Sequence, residues 1–148
     1  MKGEKVRARL EATLRFDFIA LREAEFAVDP DGKAPAFIPV SYIAESQPRI
    51  QAYRRLNEIN TQEQLDALRK TWRDRFGRMP DSAENLLLLT ELKISAAARK
   101  IASIEVREDR AMLKRIREYV QIGGKFPRVH AEDPGERLRE VLKLVRAF

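Results

Sequence analysis

Residues that could perform acid–base or metal chemistry are few in this chain of 148 residues. It has one histidine, His130, and no cysteine, which excludes disulfides, cysteine nucleophiles and cysteine-bound zinc. His130 lies near Glu132 and Asp133, but side chains so close in sequence converge poorly on one metal ion. Neighbouring acids such as Glu23 and Glu25 are expected by chance among 23 acidic residues. We therefore predict no catalytic, cofactor-binding or metal-binding residue, and no enzymatic activity, in this segment.

Motifs for nucleotide binding and signals for membranes are also missing from the sequence. Neither G-x-x-x-x-G-K-[ST] nor G-x-G-x-x-G occurs. The longest apolar run, Leu86 to Leu89, is far shorter than the ~18 residues of a membrane span. The charged start at residues 1–5 leads into no apolar segment of a signal peptide. We expect a cytoplasmic location and no contact with membranes.

Positive charge is concentrated in residues 99–128, where nine Lys and Arg face four acids, while the whole chain carries +6. A basic patch attracts nucleic acid or an acidic protein surface. The alternative is a solvated sheet face, and Tyr119 and Phe126 are too few aromatic residues to define a base-stacking platform. The residues of the possible nucleic-acid site are Lys114, Arg115, Arg117, Lys125 and Arg128.

The first 46 residues predict a strand followed by a proline-rich loop. Residues 12–18 alternate, so Leu14, Phe16 and Phe18 share one face of a half-buried strand. Residues 27–48 hold four of the seven prolines and the turn Pro30-Asp31-Gly32. We interpret this stretch as an ordered loop without a helix.

Three helices are predicted between residues 47 and 89. The first covers about 47–59, with Ser46 as its N-cap. The second starts at a Thr61–Gln64 capping box, and Gly77 ends it in the left-handed conformation. The third starts with Asp81 as cap and is the buried central helix. The expected apolar faces are Ile50, Tyr53, Leu56 and Ile59 in the first helix, and Leu65, Leu68, Trp72 and Phe76 in the second.

The pattern changes to alternation after residue 98, which predicts a small sheet. Residues 102–107 read as a strand, and residues 112–122 fit either a strand or a helical stripe. We favour strands, because Gly123-Gly124 forms a tight hairpin turn. Asp133 caps a final helix whose inward residues are Leu138, Val141, Leu142 and Val145.

These elements predict an α+β fold, in which a helical block packs with a small, mostly antiparallel sheet and a C-terminal helix. We expect one domain over 1–148. Its parts are the strand and loop (1–46), the helical block (47–99), the sheet (100–130) and the last helix (133–148).

Several anchors from residue 37 onward resemble the C-terminal (TRCF) domain of the bacterial transcription-repair coupling factors, the Mfd family. The anchors are Ile38-Pro39, Tyr42-Ile43, the run from Arg49 to Leu56, Gln64-Leu65 and the joint from Asp74 to Pro80. Their order and spacing match the family pattern.

The resemblance implies a parent protein that is an ATP-dependent translocase removing stalled RNA polymerase in nucleotide excision repair. Its C-terminal domain is expected to be a monomeric, non-catalytic cover over the parent's own UvrA-binding module. UvrA, RNA polymerase and DNA are then reached through the parent. By the same resemblance Asp74 is a contact residue, and Thr71 stands where relatives often carry an acid. The expected interface is Thr71, Arg73, Asp74 and Arg75.

Overall fold

Five helices and five strands form residues 10–148, the part of the chain that the computed structural model describes. The strands are β1 (Thr13–Phe16), β2 (Ile19–Ala20), β3 (Ala34–Pro35), β4 (Ser103–Arg107) and β5 (Arg110–Lys114). The helices are α1 (Glu23–Val28), α2 (Ser46–Asn57), α3 (Gln62–Phe76), α4 (Asp81–Ala98) and α5 (Pro134–Arg146). The α+β class is confirmed. The charged start at residues 1–5 lies outside the described residues.

β4 is the middle strand of a three-stranded mixed sheet. It pairs in parallel with β1, where Leu14 lies opposite Ile104, and antiparallel with β5, where Ile104 lies opposite Leu113. Successive residues of a strand point to opposite faces, so one face of this sheet is apolar and the other faces solvent. A shorter pair, β2 and β3, is also parallel. The parallel β1–β4 pair joins segments about ninety residues apart in the chain.

The apolar face of the sheet packs against α4 and α5 in a first hydrophobic cluster. The Asp133 carboxylate accepts the backbone N–H of Glu136 at 3.0 Å, which confirms the predicted cap of α5. The fully buried members of this cluster are Leu92, Ala96, Ile104, Val106, Ala111, Leu113, Leu138, Val141 and Val145.

A second hydrophobic cluster holds α2, α3 and the start of α4 together. Its centre is α3, where the predicted capping box is confirmed: the Thr61 hydroxyl accepts the N–H of Gln64 at 3.2 Å, and the Gln64 side chain accepts the N–H of Thr61 at 3.3 Å. The loop before α2 contributes Ile38 and Ile43. The other buried members are Ala52, Leu56, Ile59, Leu65, Leu68, Trp72, Met79, Ala83 and Leu87.

Two predicted helix starts are wrong. Ser46 is the first residue of α2 and Glu45 is its N-cap, without a capping side-chain hydrogen bond. Asp81 is likewise the first residue of α4, and Pro80 occupies the N-cap. Each helix starts one residue earlier than predicted, so the side chain stands inside the first turn instead of before it. Asp81 still favours the helix, because an acid is stabilised near the positive end of the helix dipole.

The apolar face of α2 differs from the predicted one. Ile50 is 48% exposed, whereas Ala52 is buried together with Leu56 and Ile59. Ala52 and Leu56 are four positions apart, which keeps them on one side of a helix with 3.6 residues per turn, and Ile59 is buried just after the helix ends. The small side chain of Ala52 was therefore the inward one.

Two further segments differ in detail from the sequence prediction. α1 was not predicted, and it is a six-residue helix with no buried residue and no side-chain cap. Residues 111–122 are a strand only as far as Lys114, after which the chain turns. The Gly123-Gly124 turn is confirmed, because both glycines have positive φ and the backbones of Ile122 and Lys125 pair across it.

Candidate protein-interaction surface

The last turns of α3 carry the four residues of the predicted interface. Leu65, Leu68 and Trp72 bury one side of this helix. At 100° per residue, Asp74 lies on the opposite side, between Arg73 on one flank and Thr71 and Arg75 on the other. All four side chains are exposed. Thr71 and Arg75 also line a groove of about 640 Å³ between α2 and α3. The structure therefore brings the four residues together on one exposed helix end.

Three of these four side chains already have partners within the chain. The Arg73 guanidinium lies 3.6 Å from the Glu84 carboxylate, and the Arg75 guanidinium lies over the Phe76 ring at 5.0 Å. The Thr71 hydroxyl donates to the Ala67 carbonyl at 3.0 Å. The Asp74 carboxylate has no hydrogen bond or ion pair with any residue from 10 to 148. Asp74 is thus an exposed negative charge that the described chain does not neutralise.

Tyr42 holds the end of α3 in place. Its hydroxyl lies 3.1 Å from the Trp72 carbonyl oxygen and 2.9 Å from that of Gly77, and donates its one proton to this pair. Its ring meets Phe76 edge-on at 5.8 Å. Burial raises the pKa of Tyr42, the Glu84 carboxylate raises it further, and Arg73 lowers it in part. Tyr42 remains a donor at neutral pH. Sequence alone places Tyr42 only among the family anchors, because the carbonyl groups that it contacts lie 30 and 35 residues further along the chain.

Arg69, one turn before Arg73 on α3, is not part of the exposed surface. Its guanidinium is half-buried and pairs with Glu84, and its other nitrogen lies 3.9 Å from Glu91. Glu91 in turn accepts from Arg146 of α5 at 2.9 Å. This network joins α3, α4 and α5, because its acids lie on α4 between the arginines of the two other helices. Sequence spacing could not reveal these pairs, since the helices meet only in the fold.

The predicted basic residues lie on β5 and the two turns that follow it. Lys114, Arg117 and Lys125 are exposed. Arg115 is half-buried and donates to the Phe148 oxygen at 3.3 Å. Arg128 pairs with Asp109 at 2.7 Å, so its charge is largely neutralised. The structure therefore separates the five residues into three free cations and two engaged ones.

His130 is an exposed residue at the start of the segment before α5. Its backbone N–H donates to the Glu140 carboxylate at 2.8 Å, and the N–H of Ala131 donates to it at 2.9 Å. Burial raises the pKa of Glu140, but these two N–H donors and the charges of His130 and Arg137 outweigh it and lower the pKa overall. Glu140 thus fixes this segment through its backbone.

Within residues 10–148, no three His, Cys, Asp or Glu side chains are arranged to hold a metal ion. None of the helices in this part of the chain combines the length and hydrophobicity needed to cross a membrane.

The order of elements, with a three-helix block before a small mixed sheet and a last helix, defines the class of protein. The same fold occurs in a crystal structure of the C-terminal domain of a transcription-repair coupling factor, with a TM-score of 0.60 and 14% identity. The match covers 94% of this chain and 97% of that one. The model of the TRCF domain family matches residues 33–121. Since that is more than half of the sequence, the chain belongs to the TRCF domain family.

Relatives among curated proteins are full-length transcription-repair-coupling factors. The chain is 31% identical to that of Haemophilus influenzae over 77 residues, 52% of this chain and 7% of the relative. It is 29% identical to that of Bacillus subtilis over 89 residues, 60% and 8% of the two chains. It is 38% identical to that of Staphylococcus haemolyticus over 61 residues, which are 41% of this chain and 5% of the relative. The matched part is thus a small fraction, 5–8%, of these relatives' lengths.

Proposed function

We propose that this chain is a non-catalytic regulatory domain of a transcription-repair coupling factor, and that it covers the UvrA-binding module of the same parent protein. The parent is an ATP-dependent translocase that acts on stalled RNA polymerase in nucleotide excision repair, with its ATP sites outside this segment. UvrA, RNA polymerase and DNA are partners of the parent. Membership in the TRCF domain family supports the assignment.

The observation that carries the proposal is the unpartnered carboxylate of Asp74 at a fixed helix end. Arg73 pairs with Glu84, whereas Asp74 is exposed and has no partner among residues 10–148. Tyr42 ties the backbone of this helix end to the loop before α2. A charge presented on a rigid element loses little conformational entropy when it meets a basic partner surface. Asp74 is therefore suited to a contact with a basic module.

A polar contact also fits a cover that must be removed. Complementary charges across an interface increase specificity and the association rate more than they increase affinity. Salt screens these interactions and weakens the binding. If a few charge pairs hold the domain on the module, its dissociation requires a free energy of about a few kcal/mol. A conformational change in the parent can supply that free energy. Thr71 and Arg75 line the groove beside Asp74, where they contribute shape and hydrogen bonding to the contact.

The proposal is tested by binding between this chain and the separately expressed UvrA-binding module of its parent. We expect weak binding that decreases as salt rises. Asp74→Lys places a like charge against a basic surface, so we expect affinity to fall at least about tenfold, or ~1.4 kcal/mol. Isothermal titration calorimetry at low salt measures both values.

Asp31→Lys is the matched control for Asp74→Lys. Asp31 is exposed in the turn between α1 and β3, far along the chain from α3, and the substitution changes the net charge by the same amount. We expect this variant to bind as the unmodified chain does. Equal binding by Asp74→Lys and the unmodified chain at low salt would rule out Asp74 as the contact.

A further inference from the structure

The chain leaves the β5 edge of the sheet twice, in two adjacent turns. The N–H of Arg115 donates to the Glu118 carbonyl at 2.8 Å, which closes a first turn with Ile116 and Arg117 at its tip. The next residues return to β5, where the N–H of Val120 donates to the Leu113 carbonyl at 2.7 Å. The backbone then leaves β5 a second time. It returns at Pro127, whose carbonyl accepts the N–H of Ala111 at 2.8 Å.

Residues 122–125 form the second turn. The N–H groups of Ile122 and Lys125 donate to each other's carbonyls at 2.8 and 3.1 Å, and Gly123 and Gly124 have φ of 59° and 78°. Glycine adopts this left-handed region without steric cost, so two consecutive glycines allow so tight a turn. Where a fourth strand would pair along the edge of β5, the chain instead forms two turns.

Free positive charge is concentrated on β5 and these turns. Residues 110–128 contain six Lys and Arg and a single acid, Glu118. Arg128 is neutralised by Asp109, and Arg115 donates to the Phe148 oxygen. The remaining four are exposed and have no ion pair within residues 10–148: Arg110, Lys114, Arg117 and Lys125. No acid among the described residues balances these four charges through an ion pair.

The aromatic side chains of this region support the backbone of the turns. Tyr119 and Phe126 meet edge-on at 5.5 Å, and the Lys114 ammonium lies over the Tyr119 ring at 5.6 Å. Tyr119 is 45% exposed. This contact fixes Lys114 beside the first turn, because a cation is attracted to the face of an aromatic ring. The two turns are thereby held against each other.

We propose that β5 and the turns at 115–118 and 122–125 bind the phosphate backbone of nucleic acid. A protein partner is usually recognised by a buried apolar centre with a polar rim. Here the exposed aliphatic residues, Ile116 and Ile122, lie on different turns, and each of these turns also carries an exposed cation, Arg117 or Lys125. A surface whose main feature is four free cations matches a polyanion with closely spaced charges. This surface is separate from the end of α3, so the proposal does not rest on the masking function.

The test is fluorescence anisotropy of a labelled oligonucleotide, as a duplex and as a single strand, over a salt series from ~50 to ~200 mM. With four phosphate contacts, log K falls against log salt with a slope of about −3.6 for the duplex and about −2.8 for the single strand. Lys114→Gln, Arg117→Gln and Lys125→Gln combined remove three contacts. We expect the duplex slope to become shallower by about 2.7 in this variant.

A second triple variant removes the same charge elsewhere. Arg54→Gln, Lys70→Gln and Arg78→Gln affect exposed cations on or next to α2 and α3, without an ion pair in the described chain. We expect this control to keep the slope. Equal loss in both triple variants, absence of binding at ~50 mM salt, or equal competition by poly-glutamate would overturn the proposal. If the first triple variant does not fold, Arg117→Gln alone must make the slope shallower by about 0.9.

Discussion

At the end of α3, the internal partners of each side chain determine which charge is available to another molecule. Arg73 belongs to the Glu84 pair, and Arg75 lies over Phe76. A partner that approaches this helix end therefore meets Asp74 as an acid without an ion pair among the described residues. The net charge of the chain is +6, so the contact depends on a local acid and not on the overall field.

Tyr42→Phe tests whether the hydroxyl stabilises the end of α3. The substitution leaves the Trp72 and Gly77 carbonyl oxygens without this donor, and we expect the free energy of unfolding to fall by about 1 kcal/mol. Urea denaturation measures the change. Tyr119→Phe is the control, because no hydrogen bond from the Tyr119 hydroxyl to residues 10–148 is found, and its effect should stay within about 0.5 kcal/mol. Similar losses in both variants would contradict the role of Tyr42.

The stability difference between the unmodified chain and Tyr42→Phe should also depend on pH. The pKa of Tyr42 in the folded chain lies above its usual value of 10.0, chiefly because of burial. Between the two pKa values the unfolded chain loses the proton and the folded chain keeps it, so stability falls as pH rises there. The advantage of the unmodified chain is complete below pH 10 and decreases as pH rises through the folded pKa.

At the scale of elements, the sequence predicted those features that depend on a hydrogen bond between a side chain and a backbone group a few residues away. The Thr61 and Asp133 caps follow from residues three positions apart, and both are confirmed. The parallel pairing of β1 with β4 and the Arg69–Glu84 pair depend on contacts between distant segments, which one sequence does not contain. The residues at the end of α3 were named from the family resemblance, whereas the Arg73–Glu84 pair depends on where α3 and α4 meet in the fold.

The family anchors have a structural explanation at this scale. Ile38 and Ile43 fill the second hydrophobic cluster, and the Tyr53 hydroxyl accepts the N–H of Ile38 at 2.7 Å. Met79, within the joint that follows α3, is buried in the same cluster. The buried anchors therefore fix the orientation of α3, and Asp74 is the exposed acid within the joint.

Gly77 gives a prediction about the joint between α3 and α4. It has φ of 89° and ψ of −162°, so the predicted positive φ is confirmed, but ψ is extended instead of left-handed helical. This region is nearly exclusive to glycine. A Cβ there meets nothing within 4 Å, so the cost of a substitution is backbone strain alone.

We expect Gly77→Ala and Gly77→Asn each to lower the free energy of unfolding by about 1–3 kcal/mol. Asparagine tolerates the left-handed helical conformation but not this one. Urea denaturation of both variants therefore distinguishes the two conformations. If Gly77→Asn retained the stability of the unmodified chain while Gly77→Ala did not, the joint would have the left-handed helical conformation instead.

At the scale of the whole molecule, α4 connects the two hydrophobic clusters. Leu87 belongs to the second cluster, while Leu88, Leu89 and Leu92 belong to the first. The end of α3 and the two basic turns are thus attached to one scaffold through α4. The first presents a free acid and the second presents free cations, so each surface suits a partner of opposite charge.

Competition with UvrA is the direct test of whether this chain masks the UvrA-binding module, as proposed above. The module is immobilised, UvrA is supplied in solution, and UvrA capture is measured as this chain is added. We predict that the chain and its Asp31→Lys variant decrease UvrA capture, and that Asp74→Lys needs at least about tenfold more protein for the same effect. Undiminished UvrA capture on a module already saturated with the chain would contradict the masking function.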